Sequence, residues 1–320
     1  MPLPLSPPIA PALARGKPEL PRGPEWRYEP KYDGFRALAF IDGAAVYLQS
    51  RGLKPLHRYF PELAFASGRY VIDGEIVIDA ADGHEDFGAL QNRLHPAASR
   101  VAALAATTPA RFIAFDLLAE GDTVWLERPF VERREALEAL VRGLGPQPAT
   151  GVSLTPLSVD PAAAEPWLAG GEGVVAKLAD AAYAPGKRTA MIKVKRVRTI
   201  DCVVVGYRHG VEPGTVGSLI LGLYDEGGAL QVVGHCSGIR PAEKADLARR
   251  LAPYASGERG SADPSRWASE RELEWVGLRP ELVVEVRYDQ VSGGRIRHGT
   301  KLVAWRQDKA PAECRLSQLD

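Results

Sequence analysis

The stretch WRYEPKYDGFRALAFIDG (26–43), followed directly by AAVYLQSRG (44–52), sets the character of the chain. Both are short apolar or alternating runs broken by Gly and Asp, the pattern of β-strands. VIDGEIVID (71–79), RFIAFDLL (111–118), GVVAKLA (173–179) and MIKVKRV (191–197) are further runs of strand length. Helical periodicity lies between them, in GALQNRL (88–94) and more fully in PFVERREALEALVRGLG (129–145). In the latter, Val131, Leu137, Leu140 and Val141 share one face, and Gly-Leu-Gly ends the run. Strands mixed irregularly with helices predict an α+β fold and not a regular βαβ alternation.

Past Thr199 the pattern changes. TIDCVVVGYRHG, GSLILGLYDEGG, ALQVVGHCSG and LVVEVRYDQVS are strands at short spacing with Gly-rich turns, interrupted by one helix, PAEKADLARRLAPY (241–254). That composition predicts a small β-barrel of the OB type. VKRVRTID (194–201) is then the hinge between two domains. The expected domains are 25–198 and 199–320, preceded by a Pro-rich segment, 1–24, in which a helix or central strand is disfavoured.

The 320 residues suffice for two cores. Forty Lys+Arg balance forty Asp+Glu, which argues against coating nucleic acid by bulk charge alone. Three separated cysteines without a CxxC pair argue against a disulfide scaffold or a cysteine zinc site, and fit a reducing cytoplasm. No run of about 18 apolar residues predicts a membrane span. The N-terminus lacks the cationic start and unbroken apolar core of a secretory signal.

The residues with chemical potential recur in order. Lys31 sits in EPKYDGFR between Glu29 and Asp33-Gly34, with Arg36 beyond. A lysine beside other cations can have its pKa lowered, and a free amine is a nucleophile. Ser50-Arg51-Gly52 puts a cation in a tight turn, and Asp73-Gly74-Glu75 puts two carboxylates on one strand face. Phe115 could stack on a base. Glu172 and Lys177 end the strand EGVVAK, and Lys193 and Lys195 point the same way from one strand. RIRHGTKLVAWRQDKAP supplies Arg295, Arg297, Arg306, Asp308 and Lys309. Cations beside carboxylates suit a nucleotide phosphate with a hard divalent ion.

This series resembles the covalent nucleotidyltransferase superfamily, and most closely the ATP-dependent DNA ligases. KxDG is Lys31-Tyr32-Asp33-Gly34; SRG, DGE, FDLL, EGVVAK, KVK and RxDK follow in the family's order, covering about Pro24 to the C-terminus. EPKYDGFRA, FPELA, VIDGEIV, SLILGLYD and ELVVEVRYDQV are similar to the small bacterial group typified by ligase C and the ligase module of ligase D. The short N-terminus departs from the larger eukaryotic and archaeal enzymes, which carry a separate helical DNA-binding domain.

The resemblance implies an ATP-grasp-like adenylation (nucleotidyltransferase) domain followed by an OB-fold domain. It implies that Lys31 takes AMP from ATP, passes it to a 5′-phosphate at a nick in duplex DNA, and that the 3′-hydroxyl displaces it. Glu29 would accept from adenine N6, Phe115 would stack on adenine and Glu75 would bind a ribose hydroxyl. Arg36 and Arg51 would contact the nucleotide or the nick 5′-phosphate. Lys193, Lys195 and Arg188 would hold the α-phosphate. Glu172 would hold Mg²⁺ or Mn²⁺, Asp33 would bind metal or orient Lys31, and Asp73 would brace its turn. Arg297, Arg306, Asp308 and Lys309 would close over the β- and γ-phosphates. The implied partners are nicked DNA and other repair proteins, with the chain acting as a cytoplasmic monomer in excision-type repair. His298 reads as a local structural residue. RNA ligases, GTP-using capping enzymes and a non-catalytic OB-fold binder are the rival readings.

Overall fold

The computed structural model describes residues 3–319 other than 82, 147, 261–273, 293 and 298, so His298 lies outside the described residues. The chain divides into two compact units, Met1–Arg196 and Val197–Asp320.

In chain order the first unit contains β1 (Ala14–Gly16), β2 (Trp26–Pro30), β3 (Phe35–Gly43), β4 (Ala45–Ser50), β5 (Gly68–Val77), α1 (Phe87–Asn92) and α2 (Ala98–Thr107). Then come β6 (Arg111–Glu120), β7 (Thr123–Val124), α3 (Phe130–Gly143), β8 (Val152–Leu154), α4 (Pro161–Gly170), β9 (Gly173–Leu178) and β10 (Met191–Lys195). One sheet runs β4-β3-β5-β6-β7, with β8 parallel to β6; the other runs β1-β10-β9-β2.

The apolar run in β3 has a simple cause. Ala37, Ala39 and Ile41 enter a core with Leu90 of α1 and Leu137 of α3. Leu38 and Phe40 enter a second core with Tyr183 and Met191. A strand covered on both faces reads as continuous apolar sequence and not as alternation. On the smaller sheet, Tyr28, Val174 and Ala176 pack with Ala164 and Trp167 of α4.

Two details differ from the sequence expectation. Helices α2 and α4 were not foreseen; α2 is Ala-rich and α4 contains two prolines. The buried residues of α3 are Phe130, Arg133, Arg134 and Leu137, whereas Val131, Leu140 and Val141 are only half-buried. Two arginines therefore occupy core positions, for reasons that appear in the site below.

The second unit contains β11 (Arg198–His209), β12 (Val216–Tyr224), β13 (Leu230–Gly238), α5 (Lys244–Leu251), β14 (Ala255–Gly260) and β15 (Trp275–Leu278). It continues with β16 (Val283–Tyr288), β17 (Gln290–Ser292), β18 (Arg295–Arg297) and β19 (Thr300–Trp305). Strands β12-β13-β19-β16-β11 are successive neighbours, and β11 also pairs β12, which closes a five-stranded ring. The β13–β19 pairing is parallel and the other ring pairings are antiparallel. Leu247 and Leu251 of α5 join the barrel core. This is the expected OB-type barrel, and closure leaves its strands without open edges.

Gly74 lets β5 and β6 approach at the centre of the large sheet. A Cβ there would overlap the Phe112 ring and lie 2.5 Å from the Ile113 carbonyl oxygen. Gly74→Ala is expected to destabilise the protein by about 1–3 kcal/mol, because backbone and a packed ring must move. Urea unfolding at constant m-value checks this.

Candidate active site

Strand β2 ends at Pro30, and Lys31 is the first residue beyond it. The lysine is therefore in the loop after the strand, not within it as the sequence suggested. Its backbone N–H donates to the Gly173 carbonyl at 2.9 Å, which fixes the loop against the start of β9. Its Nζ donates to the Tyr32 carbonyl at 3.2 Å. Lys31 lines a pocket of about 300 Å³, within the range of small-ligand sites. Glu29, Asp33, Arg36, Arg51, Glu75, Phe115, Lys177, Arg188 and Lys193 also line it.

One end is cationic. Burial and then the charges of Lys195, Lys31, Arg51 and Arg188 push the Lys193 amine down from its ordinary value. Five cations thus act on one small volume, which a polyphosphate would neutralise.

The other end is a buried ion-pair network. Glu29 Oε2 lies 2.9 Å from Lys177 Nζ, with both side chains nearly inaccessible. Lys177 also donates to the Phe115 carbonyl at 3.0 Å, and its Nζ stands 4.7 Å from the Phe115 ring centroid. Arg134 Nη1 is 3.7 Å from Glu29 Oε1 without a hydrogen bond between them. Burial raises the Glu29 carboxyl, against the pull of Lys177 and Arg134. Glu29 Oε1 has no hydrogen-bond partner among the described residues. A buried acceptor left in this way fits a ligand N–H. Behind it, Arg133 makes a two-pronged bond to Asp116 at 2.7 and 2.9 Å. The two arginines of α3 are inside because they neutralise carboxylates that the strands bury.

Asp73 differs from expectation. Asp73 is in the middle of β5, fully buried, and does not brace a turn. It accepts Arg36 Nε at 2.7 Å and Nη2 at 2.6 Å, and the Tyr183 hydroxyl at 2.6 Å. The guanidinium so held stands 4.7 Å from the Phe115 ring centroid. Much of its hydrogen-bonding fork is therefore committed to Asp73. Glu75 lies opposite Arg36 in register. Burial pushes its carboxyl up to about 7, against the pull of Arg36 and Lys31.

Burial and then the nearby charges of Glu172, Asp33 and Asp79 raise the Glu85 carboxyl. Glu172 and Asp33, far apart in sequence, therefore both act on Glu85. Among the described residues, no three His, Cys, Asp or Glu side chains converge on a single metal position. Mg²⁺ commonly needs only one or two carboxylates, the rest of its shell coming from phosphate and water, and this donor set fits that mode.

Arg297, Arg306, Asp308 and Lys309 belong to the second unit. There Asp201 accepts from Arg306 Nη1 at 3.0 Å and from Lys309 Nζ at 2.7 Å. Asp308 accepts from Arg306 Nε at 3.0 Å and Nη2 at 2.8 Å. Sequence reading singled out Lys177 without giving it a role, and missed Arg133, Arg134, Tyr183, Glu85 and Asp201. The i, i+3, i+4, i+7 spacing of Phe130, Arg133, Arg134 and Leu137 was a signal for the two arginines.

A nucleotide-sized pocket with a loop lysine at a cationic end, followed in the chain by an OB-type barrel, defines a nucleotidyltransferase. Residues 17–195 match the family described as ATP dependent DNA ligase domain, and residues 212–309 match ATP dependent DNA ligase C terminal region. DNA ligase C2 of Mycolicibacterium smegmatis is 46% identical over all of this chain and 96% of its own length. DNA ligase C of Mycobacterium tuberculosis is 45% identical with the same coverage. A solved structure of mycobacterial DNA ligase D complexed with ATP and MES is 30% identical, covers 96% of this chain and 97% of its own, and superposes with a TM-score of 0.53. The chain belongs to the ATP-dependent DNA ligases.

Two outcomes follow from these charges. Lys177→Met leaves Glu29 buried without its main partner and should cost about 3–5 kcal/mol in urea unfolding. Glu75 titrates from 4.5 when unfolded to about 7 when folded. Its contribution to stability is therefore full below the lower value and lost as pH rises through the upper one. Glu75→Gln removes that loss, so the variant's melting temperature relative to wild type should be higher at pH 8 than at pH 5. An equal difference at both pH values would contradict the assignment.

Proposed function

We propose that this chain seals nicks in duplex DNA through a covalent lysyl-AMP intermediate. The observation that carries this reading is the position of Lys31, in the pocket that Lys193, Arg51, Arg188, Glu29 and Phe115 also line.

The unprotonated Lys31 Nζ donates its lone pair to the α-phosphorus of ATP. A P–N bond forms, the bond to the bridging oxygen breaks, pyrophosphate leaves with the electron pair, and the nitrogen releases a proton to solvent. Lys193, Lys195, Arg188 and Arg51 offset the charge that builds on the phosphoryl oxygens. Glu29 Oε1 receives the adenine 6-amino N–H, which a 6-carbonyl purine cannot supply. Phe115 stacks on the base, Glu75 binds a ribose hydroxyl, and Asp73 keeps Arg36 beside that ring. A 5′-phosphate oxygen then attacks the same phosphorus, the P–N bond breaks, and Lys31 leaves as an amine after its nitrogen takes up a proton from solvent. The 3′-hydroxyl finally attacks the 5′-phosphorus and releases AMP, so one difficult step becomes easier ones.

Asp33 and Glu172 would hold Mg²⁺ or Mn²⁺; such an ion supplies Lewis-acid polarisation of phosphate oxygens. Arg297, Arg306, Asp308 and Lys309 serve the β- and γ-phosphates during the first step, the RxDK group turning from Asp201 to do so. The domains are read as 25–198 and 199–320, with motion about 194–201. The reading extends to a monomer acting in cytoplasmic DNA repair on nicked duplexes, alongside other repair proteins. Its family membership supports this, and no described helix is long and apolar enough to cross a membrane.

A labelled duplex with one 5′-phosphorylated nick tests the reading. Wild type should seal it with ATP and not with GTP. Lys31→Ala and Lys31→Arg should fall to background, because Ala has no amine and Arg stays protonated. A nick already carrying the 5′-adenylate needs no lysine nucleophile, so Lys31→Ala should still seal it. Sealing supported by GTP in place of ATP would contradict the proposal.

A further inference from the structure

The residues ahead of β2 are part of the pocket. Pro11, Leu13, Ala14 and Gly16 line it, although the family match begins only at residue 17. They are held from several sides. Ile9 N–H donates to Gln49 Oε1 at 2.9 Å, and Gln49 Nε2 returns a bond to the Ile9 carbonyl at 2.6 Å. Gln49 is fully buried. Leu3, Leu5 and Ile9 pack on the core that contains Leu38, Phe40 and Met191. Strand β1 pairs in parallel with β10, placing Gly16 opposite Lys193, and the Lys17 N–H donates to the Lys193 carbonyl at 3.1 Å.

The Tyr183 hydroxyl joins this segment to the site. It accepts from the Ala12 N–H at 3.0 Å and donates to Asp73 Oδ2 at 2.6 Å. Asp73 in turn grips Arg36, whose guanidinium stands over Phe115. Gly16 completes the picture. A Cβ there would meet nothing within 4 Å, and its backbone is not in the left-handed region. The backbone therefore does not demand glycine. The missing side chain leaves space, and Gly16 borders the pocket.

We propose that Pro11, Leu13, Ala14 and Gly16 form a wall of the ATP site, that Gly16 keeps room beside Lys193 for the phosphates, and that Tyr183 is the positioning residue linking this wall to Arg36. The inference rests on the ATP reading above. It makes the Pro-rich segment a determinant of nucleotide affinity.

Calorimetric titration with α,β-methylene-ATP, which cannot release pyrophosphate, tests binding apart from transfer. Gly16→Phe should weaken binding by about tenfold or more with an unchanged melting temperature. Arg15→Phe, one residue back and on the other strand face, should bind as wild type. Tyr183→Phe keeps the ring and loses both hydroxyl bonds, so binding should weaken by about threefold while the fold is retained. Wild-type affinity in Gly16→Phe, or equal weakening in Gly16→Phe and Arg15→Phe, would overturn the proposal. Should Gly16→Phe fail to fold, Gly16→Val and Tyr183→Phe carry the test, and wild-type affinity in both would overturn it. If wild type forms no adenylate on Lys31 while Gly16→Phe still weakens analogue binding, the lysyl-AMP reading fails and the wall stands.

Discussion

The ion pair between Glu29 and Lys177 is the constraint on which the site depends. It joins β2 to β9 inside the protein, two residues before Lys31. Taking two charges out of water costs several kcal/mol each, so such a pair persists only where further bonds complete it. Here Lys177 also binds the Phe115 carbonyl, and Arg134 stands near the remaining Glu29 oxygen. The same network reaches Asp116 and Arg133, so the large sheet, α3 and the small sheet share one set of charges. A carboxylate with a spare acceptor, an aromatic ring and a lysine amine are thereby set around one pocket.

That arrangement separates two tasks. The Glu29 end is buried and keeps one carboxylate oxygen without a hydrogen-bond partner among the described residues, and suits recognition of a base. The Lys193 end is crowded with cations whose repulsion a polyphosphate would relieve. Lys31 lines the same pocket, with its backbone tied to Gly173 and its charge felt by Lys193. In the second unit, Asp201 pairs with both Arg306 and Lys309. Any action of those cations on phosphate must therefore compete with Asp201.

Much of this was legible in the sequence. The ordered motifs identified Lys31, Glu29, Glu75, Phe115 and Lys193, and the change of pattern after Thr199 announced the barrel. The illegible parts have a common physical cause. Arg133 and Arg134 look like solvated helix residues until Asp116 and Glu29 are brought to them by the fold. The Pro-rich start looks like a lead-in because its partners are remote: Ala12 bonds to Tyr183, 171 residues away. Asp73 looks like a turn residue beside glycine, but Gly74 serves the close approach of two strands. Local pattern reports local geometry, whereas buried charge is decided by what arrives from elsewhere.

The central claim is that the Lys31 amine becomes bonded to adenylate. Peptide mapping by mass spectrometry, after incubation with ATP and a divalent ion, measures this directly. The account predicts one adenylate on the peptide containing Lys31, removed by nicked DNA. Unmodified Lys31, or adenylate on another lysine such as Lys193, would contradict it.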